Sequence, residues 1–347
     1  MTVADGDALP VAHVDLGALA PGRWHALAVA LASDARAEAV RAPVLVARGG
    51  ADGPTLVIAA ALHGDEVNGV AAIHRLVAEL PAERVARGAI VAVLVANVPG
   101  FLAHRRLFDE RTDLNHVMPG APDGDEAEQY AHRLFDRLIL GAAYLCDLHT
   151  ASRGRRNALY VRADLLNPAC ARMAHLAGAQ ILLHHPPTAT TLRGAAAAAG
   201  IAAITVEIGD PLVWEADHAR AVAHGLERIA VDAGIVEGGS AELAAPAPPV
   251  VCARSLWLHA PEGGLLRVLP DLADRVSAGQ TVARLVDVYG REVARYRSPD
   301  AGIVIGRSTN PVGPSGARIL HLGLPATDAD RLDSGRTPLA ALALPAG

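Results

Sequence analysis

The stretch PTLVIAAALHGDEVNG, residues 54–69, decides how the rest of the chain is read. An apolar run from Thr55 to Leu62 stops abruptly at His63-Gly64-Asp65-Glu66. A short apolar run without polar alternation is what a strand buried on both faces looks like. Behind the polar turn, in EVNGVAAIHRLVAEL (66–80), Val70, Ile73, Val77 and Leu80 recur at spacings of 3, 4 and 3, one face of a helix. Strand, polar turn and helix together form the repeating unit of a largely parallel sheet.

The same unit recurs along the chain. PVLVARG (43–49), AIVAVLVAN (89–97), AAYLCDLHT (142–150) and IAAITVEIG (201–209) read as further buried strands. DEAEQYAHRLFDRLIL (125–140) reads as a helix with Tyr130, Leu134 and Leu138 in line. The pattern predicts an α/β fold whose mixed, largely parallel sheet is covered on both faces. The character changes at AELAAPAPPVV (241–251), a Pro/Ala-rich linker pattern. Residues 252–325 carry short strand-like runs between Gly, Pro, Asp and Ser. The expected organisation is an α/β domain over 1–240, a linker over 241–251, a small all-β domain over 252–325 and a tail over 326–347.

Composition narrows the function. With 51% hydrophobic residues and a mean hydropathy of +0.25, the chain can fill a large core, but at 3% aromatic it must do so with small aliphatics. The net charge of −6 and the lack of a basic stripe argue against a nucleic-acid partner. All 31 basic residues are arginine. With no lysine there is no Schiff-base lysine, no phosphate-loop lysine and no attachment point for biotin or lipoate. Cys146, Cys170 and Cys252 are too few and scattered for a disulfide framework. No apolar run reaches the roughly 18 residues a membrane span needs, and the acidic MTVADGDALP start has no signal-like core. A soluble, cytoplasmic protein with no membrane partner is expected; a homo-oligomer stays open.

Ligands of open α/β sheets bind at the carboxyl ends of strands. Three expected strands end in polar clusters: His63-Gly64-Asp65-Glu66, Asp147-Leu148-His149-Thr150 and Glu207-Ile208-Gly209-Asp210. Two histidines and a glutamate are a known ligand set for hydrolytic zinc, with a position left for water. His63, Glu66 (on the first helical turn) and His149 are therefore candidate metal ligands. A lone H-x-x-E arises often by chance; its combination with two other strand ends is more specific. Amide hydrolysis also needs a proton carrier, and Glu207 in TVEIG is the candidate, with an N-cap or salt-bridge role as its bland alternative. Alternation along the strand is expected to point Asp147 away from His149. His184-His185 reads as loop or core, and Arg153, Arg155 and Arg156 in ASRGRRN, just after His149, read first as a solvated loop and second as further candidates for a substrate-binding charge.

ALHGDEVNG, NVPGFLAHRRLFDERTDLNHVMPG, CDLHT and LRGAAAAAGIAAITVEIG stand in the order and spacing found in the succinylglutamate desuccinylase/aspartoacylase family, and the chain resembles that family over about residues 42–235. The resemblance implies a carboxypeptidase-like α/β/α sandwich around an eight-stranded mixed sheet, and the C-terminal segment resembles a biotinyl/lipoyl-like β domain that would narrow access to the cleft. It implies that His63, Glu66 and His149 hold one Zn²⁺ per chain and that Glu207 is the general base and acid. It also implies that Arg106, with Arg105 as competitor, steadies the oxyanion. One departure stands out: the family's Asp-Leu-Asn-Arg is here Asp113-Leu114-Asn115-His116. A guanidinium grips a carboxylate with a bidentate fork that imidazole lacks. Substrate binding is therefore expected of Asn115 and His116, with Arg193 either supplying the missing charge or serving structure. The expected activity is zinc-dependent removal of an acyl group from a small N-acyl amino acid or amine. The alternatives are a carboxypeptidase-type peptidase and a non-catalytic metal- or ligand-binding relative.

Overall fold

A computed structural model of the protein describes residues 8–238, 243 and 246–327. Most of the expected linker over 241–251 is covered, but positions 241, 242, 244 and 245, and the expected tail from 328 onward, lie outside the described residues.

Each expected strand forms, over Ala39–Arg48, Ala51–Ala60, Arg87–Val93, Tyr144–His149 and Ala202–Glu207. They sit in one mixed sheet whose central order is Trp24–Ser33, Ala39–Arg48, Arg87–Val93, Ala51–Ala60, Tyr144–His149, Ala202–Glu207, Tyr160–Ala163, Ile181–His184. The strands that end in polar clusters are parallel neighbours at its centre.

Two apolar layers explain the unbroken hydrophobic runs. Leu56, Ile58, Ala60, Cys146, Leu148, Ile204 and Val206 face one side, against helices Asn68–Glu79, Pro168–Leu176 and Ala216–Asp232. Val57, Ala59, Val91, Val93, Leu145 and Ala203 face the other, against helices Glu126–Leu134 and Leu192–Ala198. Side chains alternate across a strand, so both faces must be apolar when both are covered. This is the α/β/α sandwich of the carboxypeptidase-like fold.

The sheet continues past Ile181–His184. Val250–His259 pairs parallel with that strand, then antiparallel with Arg318–Pro325, which pairs with Gly302–Ser308; with Leu9–Val11, Arg155–Asn157 and Arg275–Val276 the sheet has fourteen strands among the described residues. A second, antiparallel sheet of four strands (Glu292–Arg297, Thr281–Val286, Gly264–Val268, Val312–Gly313) completes the C-terminal β unit. A short strand from the loop after His149, Arg155–Asn157, pairs with Gly302–Ser308. A small core of Ala158, Tyr160, Ile181, Leu183, Cys252, Ile303 and Ile305 joins the two regions. No helix among the described residues is long and apolar enough to cross a membrane.

Candidate active site

Strand register assembles the site. Glu207 is the register partner of His149, and Thr205 of Asp147. Residues two apart on a strand share a face, so Asp147, His149, Thr205 and Glu207 all project to one side of the sheet. That overturns the expectation that Asp147 points away: i and i+2 lie together, and Asp147 Oδ2 is 2.9 Å from His149 Nε2. On the neighbouring strand Ala60 is opposite Leu148, which places His63 just past the same edge. The turn that carries it is tight. A Cβ at Gly64 would overlap the backbone of Gly100, Phe101 and Arg105, so only glycine fits there. Glu66 lies in this turn, its N–H donating to His63 O at 3.1 Å, and not in the helix, which starts at Asn68. The buried Asn68 anchors that start. Its Nδ2 is within 2.8–3.1 Å of the carbonyls of Ile208, Asp210 and Val213, and its Oδ1 accepts from Glu215 N.

His63, Glu66 and His149 are all buried and offer ligand atoms within 4.8 Å of one another. The two Nδ1 atoms are 3.1 Å apart. Glu66 Oε1 is 2.9 Å from His63 Nδ1, and Oε2 is 3.1 Å from His149 Nδ1. Both outer ring nitrogens face carboxylates: His63 Nε2 lies 3.0 Å from Asp113 Oδ1, and His149 Nε2 faces Asp147. Burial alone would depress the His149 imidazole, but Asp147 and Glu66 outweigh it and push it up to about 9. Burial would likewise raise Glu66, yet His63 and His149 hold it well below the usual carboxylate range. Asp147 is 1% exposed and is paired with the His149 ring. Two imidazoles with inner nitrogens converging, each backed by a carboxylate, and a buried glutamate between them form a donor set that fits a divalent cation.

The other expected residues gather around a cavity of about 580 Å³. Arg106, not Arg105, reaches it: Nη1 donates to Glu66 Oε1 at 2.7 Å and to Ser152 Oγ at 3.1 Å, while Nη2 donates to Asp113 Oδ2 at 3.0 Å. Arg105 turns instead toward Phe108 O. Glu207 is buried, ion-paired with Arg162 and accepting from Asn157 Nδ2 at 3.0 Å. Asn115 and His116 line the cavity, with Asn115 Oδ1 accepting from Leu192 N at 2.8 Å. Arg193 lines it too, though its guanidinium donates to His185 O at 2.9 Å and Pro186 O at 3.4 Å, so it braces that loop. His185, expected in loop or core, borders the cavity. Arg155, expected in a solvated loop, also borders it and is half-buried, because pairing of its strand with Gly302–Ser308 turns it inward.

Sequence reasoning missed Asp113 as the brace of His63, Arg162 and Asn157 as partners of Glu207, and Tyr160, Trp257, Arg318 and His321 in the cavity wall. Asp113 was legible as part of DLNH. Arg162 sits opposite Thr205 on an antiparallel strand too short to announce itself, YVRA. The last three residues lie at least 50 positions beyond Glu207, where nothing local marks them.

A family profile described as the succinylglutamate desuccinylase/aspartoacylase catalytic domain matches residues 52–232. The chain is 28% identical over 283 residues to the N-alpha-acetyl-L-2,4-diaminobutyric acid deacetylase of Halomonas elongata, covering 78% of this chain and 81% of that protein. The product-bound ectoine utilization protein EutE (DoeB) of Ruegeria pomeroyi superposes with a TM-score of 0.77 and 26% identity, over 87% of this chain and 94% of the other. The succinylglutamate desuccinylase/aspartoacylase of Rhodobacter sphaeroides shares the fold, with a TM-score of 0.77 and 24% identity over 91% of this chain and 98% of the other.

Proposed function

The chain belongs to the succinylglutamate desuccinylase/aspartoacylase family, and from that premise we propose that it is a metal-dependent amidohydrolase removing the acyl group from a small N-acyl amino acid or related amine. The observation that carries this reading is the convergence of His63, Glu66 and His149 on one point beside the buried carboxylate of Glu207. The deacetylase activity of the Halomonas elongata relative supports it.

His63, Glu66 and His149 would hold the ion, zinc by ligand type. When bound, it would polarise the scissile carbonyl and lower the pKa of a water. The chain's own residues do the rest. Glu207 accepts the proton of the attacking water and returns it to the leaving nitrogen, the two-way transfer that a general base and acid performs. Asn157 and Arg162 fix its carboxylate toward the cavity. Arg106 places a guanidinium beside the ligand set, where it faces the developing oxyanion; one such donor is typically worth about 3 kcal/mol. Asp113 orients Arg106 and His63 together, since it touches both. Asn115 and His116 contact the substrate's polar end, and the small cavity suits a metabolite.

The test is amine release from a panel of acidic, neutral and basic amines bearing acetyl, succinyl or aromatic acyl groups, with zinc-loaded protein. Glu207→Gln should lose on the order of 100-fold or more in turnover while binding zinc at the same stoichiometry. Full hydrolysis by that variant would remove Glu207 from the mechanism, and silence of the wild type across the panel would count against the deacylase reading.

A further inference from the structure

The loop that follows Glu207 turns three consecutive large apolar residues outward. Leu212, Val213 and Trp214 are each more than half exposed, Trp214 at 65%. Phe101 and Leu102, at the end of helix Val98–Leu102, are exposed as well. Phe101, Leu212, Val213 and Trp214 border one hollow of about 360 Å³, separate from the catalytic cavity, and Asp65 of the metal-ligand turn lines it too.

The loop is pinned in this position. Asn68 Nδ2 donates to Asp210 O at 2.8 Å and Val213 O at 3.0 Å, and Asn68 Oδ1 accepts from Glu215 N at 3.1 Å. Glu215 is in turn ion-paired with Arg156 at 2.8 Å. The apolar side chains therefore project from a fixed backbone, and a protrusion that is already ordered costs little to bind. By the ordinary size of such side chains, the five expose on the order of 400 Å² of apolar surface. Monomers seldom leave more than a few hundred Å² of contiguous apolar surface in water. A standard interface covers roughly 800 Å² per partner, a little over half of it apolar, so this patch has the size of the apolar centre of one interface.

Shape and charge name the occupant. Trp214 is a knob beside a hollow that it helps to wall. In a two-fold contact the same patch meets itself, so a knob next to its own hole is used twice. Asp65 and Arg153 both line the hollow, one of each sign, and two copies facing each other bring carboxylate toward guanidinium rather than like toward like. We propose that the Phe101–Leu102 and Leu212–Trp214 patch is the interface of a two-fold dimer of this chain, in which each Trp214 indole fills the hollow of the other copy. This interface stands whether or not the cavity is a deacylase site.

The experiment is sedimentation velocity of the full chain across about 0.1–100 µM, the span that brackets micromolar affinity, for the wild type, Trp214→Ser, Leu212→Asp and Tyr289→Ser. The wild type should dimerise with a Kd on the order of 1 µM or tighter. Trp214→Ser and Leu212→Asp should each weaken the dimer on the order of 30-fold or more, the scale of a truncated interface anchor, with unchanged far-ultraviolet circular dichroism. Tyr289 is 80% exposed on the far hairpin of the β unit, and Tyr289→Ser should leave the Kd within about twofold. Hydrogen exchange supplies a second readout that needs no variant: amides of residues 211–215 should exchange more slowly in concentrated than in dilute wild type, and those of 287–291 should not. A wild type that stays monomeric throughout overturns the proposal; if exchange at 211–215 then quickens on removal of residues 328–347, the chain's own tail is the occupant. A dimer that survives both Trp214→Ser and Leu212→Asp places the interface elsewhere and overturns it equally.

Discussion

Asp147 is a buried carboxylate paired with the His149 ring at 2.9 Å. Its negative charge favours whatever makes that ring cationic or electron-rich, and so favours a metal on the other nitrogen. Asp147→Asn keeps the shape and removes the charge. Zinc affinity should fall on the order of 10- to 100-fold in a chelator-competition titration, and the thermal midpoint of the metal-free protein should fall as well, because the buried His149–Asp147 pair loses one partner. An unchanged zinc affinity would mean that Asp147 is not the brace of His149. The residue was visible in CDLHT all along. A strand period of two joins positions 147 and 149 on one face, so the pairing follows from CDLHT itself.

At the scale of elements, the informative pair is the short strand Arg155–Asn157 and its partner Gly302–Ser308. The first carries Asn157, which donates to Glu207; the second carries Gly306, opposite Asn157 in register. A Cβ at Gly306 would collide with Asn157 Oδ1. Gly306→Ala should therefore displace Asn157, unclip Glu207 and lower kcat on the order of 10- to 100-fold, the scale of a small misplacement of a catalytic group, without loss of zinc. Gly313→Ala in the same β unit, where the added carbon meets only ordinary contacts at 3.5 Å, is the control and should leave kcat unchanged. Equal activity of the two variants would show that this strand pairing does not position Glu207. Long buried strands and the amphipathic helix after His63 were legible because periodicity is a local property. Three- and four-residue strands such as Arg155–Asn157 and Tyr160–Ala163 carry too few residues to show a period, and they hold both partners of Glu207.

Over the whole molecule, the main sheet runs without a break from the strands that lead into His63, His149 and Glu207 to the C-terminal β unit, so one cavity is walled by residues more than 250 positions apart, His63 and His321 among them. The sequence marked a change of character near residue 250 because composition shifts there, but strand pairing across it depends on long-range register that no local pattern encodes. His321 joins the two regions, stacked on Trp257 and edge-on to Tyr160. Burial, and then the charges of Arg162, Arg318, Arg155 and His185, push its imidazole down to about 3 from an ordinary 6.5. The linkage has a definite sign. Between those two values the unfolded chain binds a proton at this ring that the folded protein refuses, so the stability it contributes is complete above about pH 6.5 and is lost as pH falls. The loss for one such proton is at most about 1.4 kcal/mol per pH unit. His321→Gln keeps a group that can hydrogen-bond to Ser255 and has no proton to take up. In urea unfolding followed from pH 7 to pH 4.5, the wild type should lose stability more steeply than the variant, and the gap between them should narrow as the solution is acidified. Parallel curves would mean that burial and the three arginines do not keep this ring neutral in the folded protein.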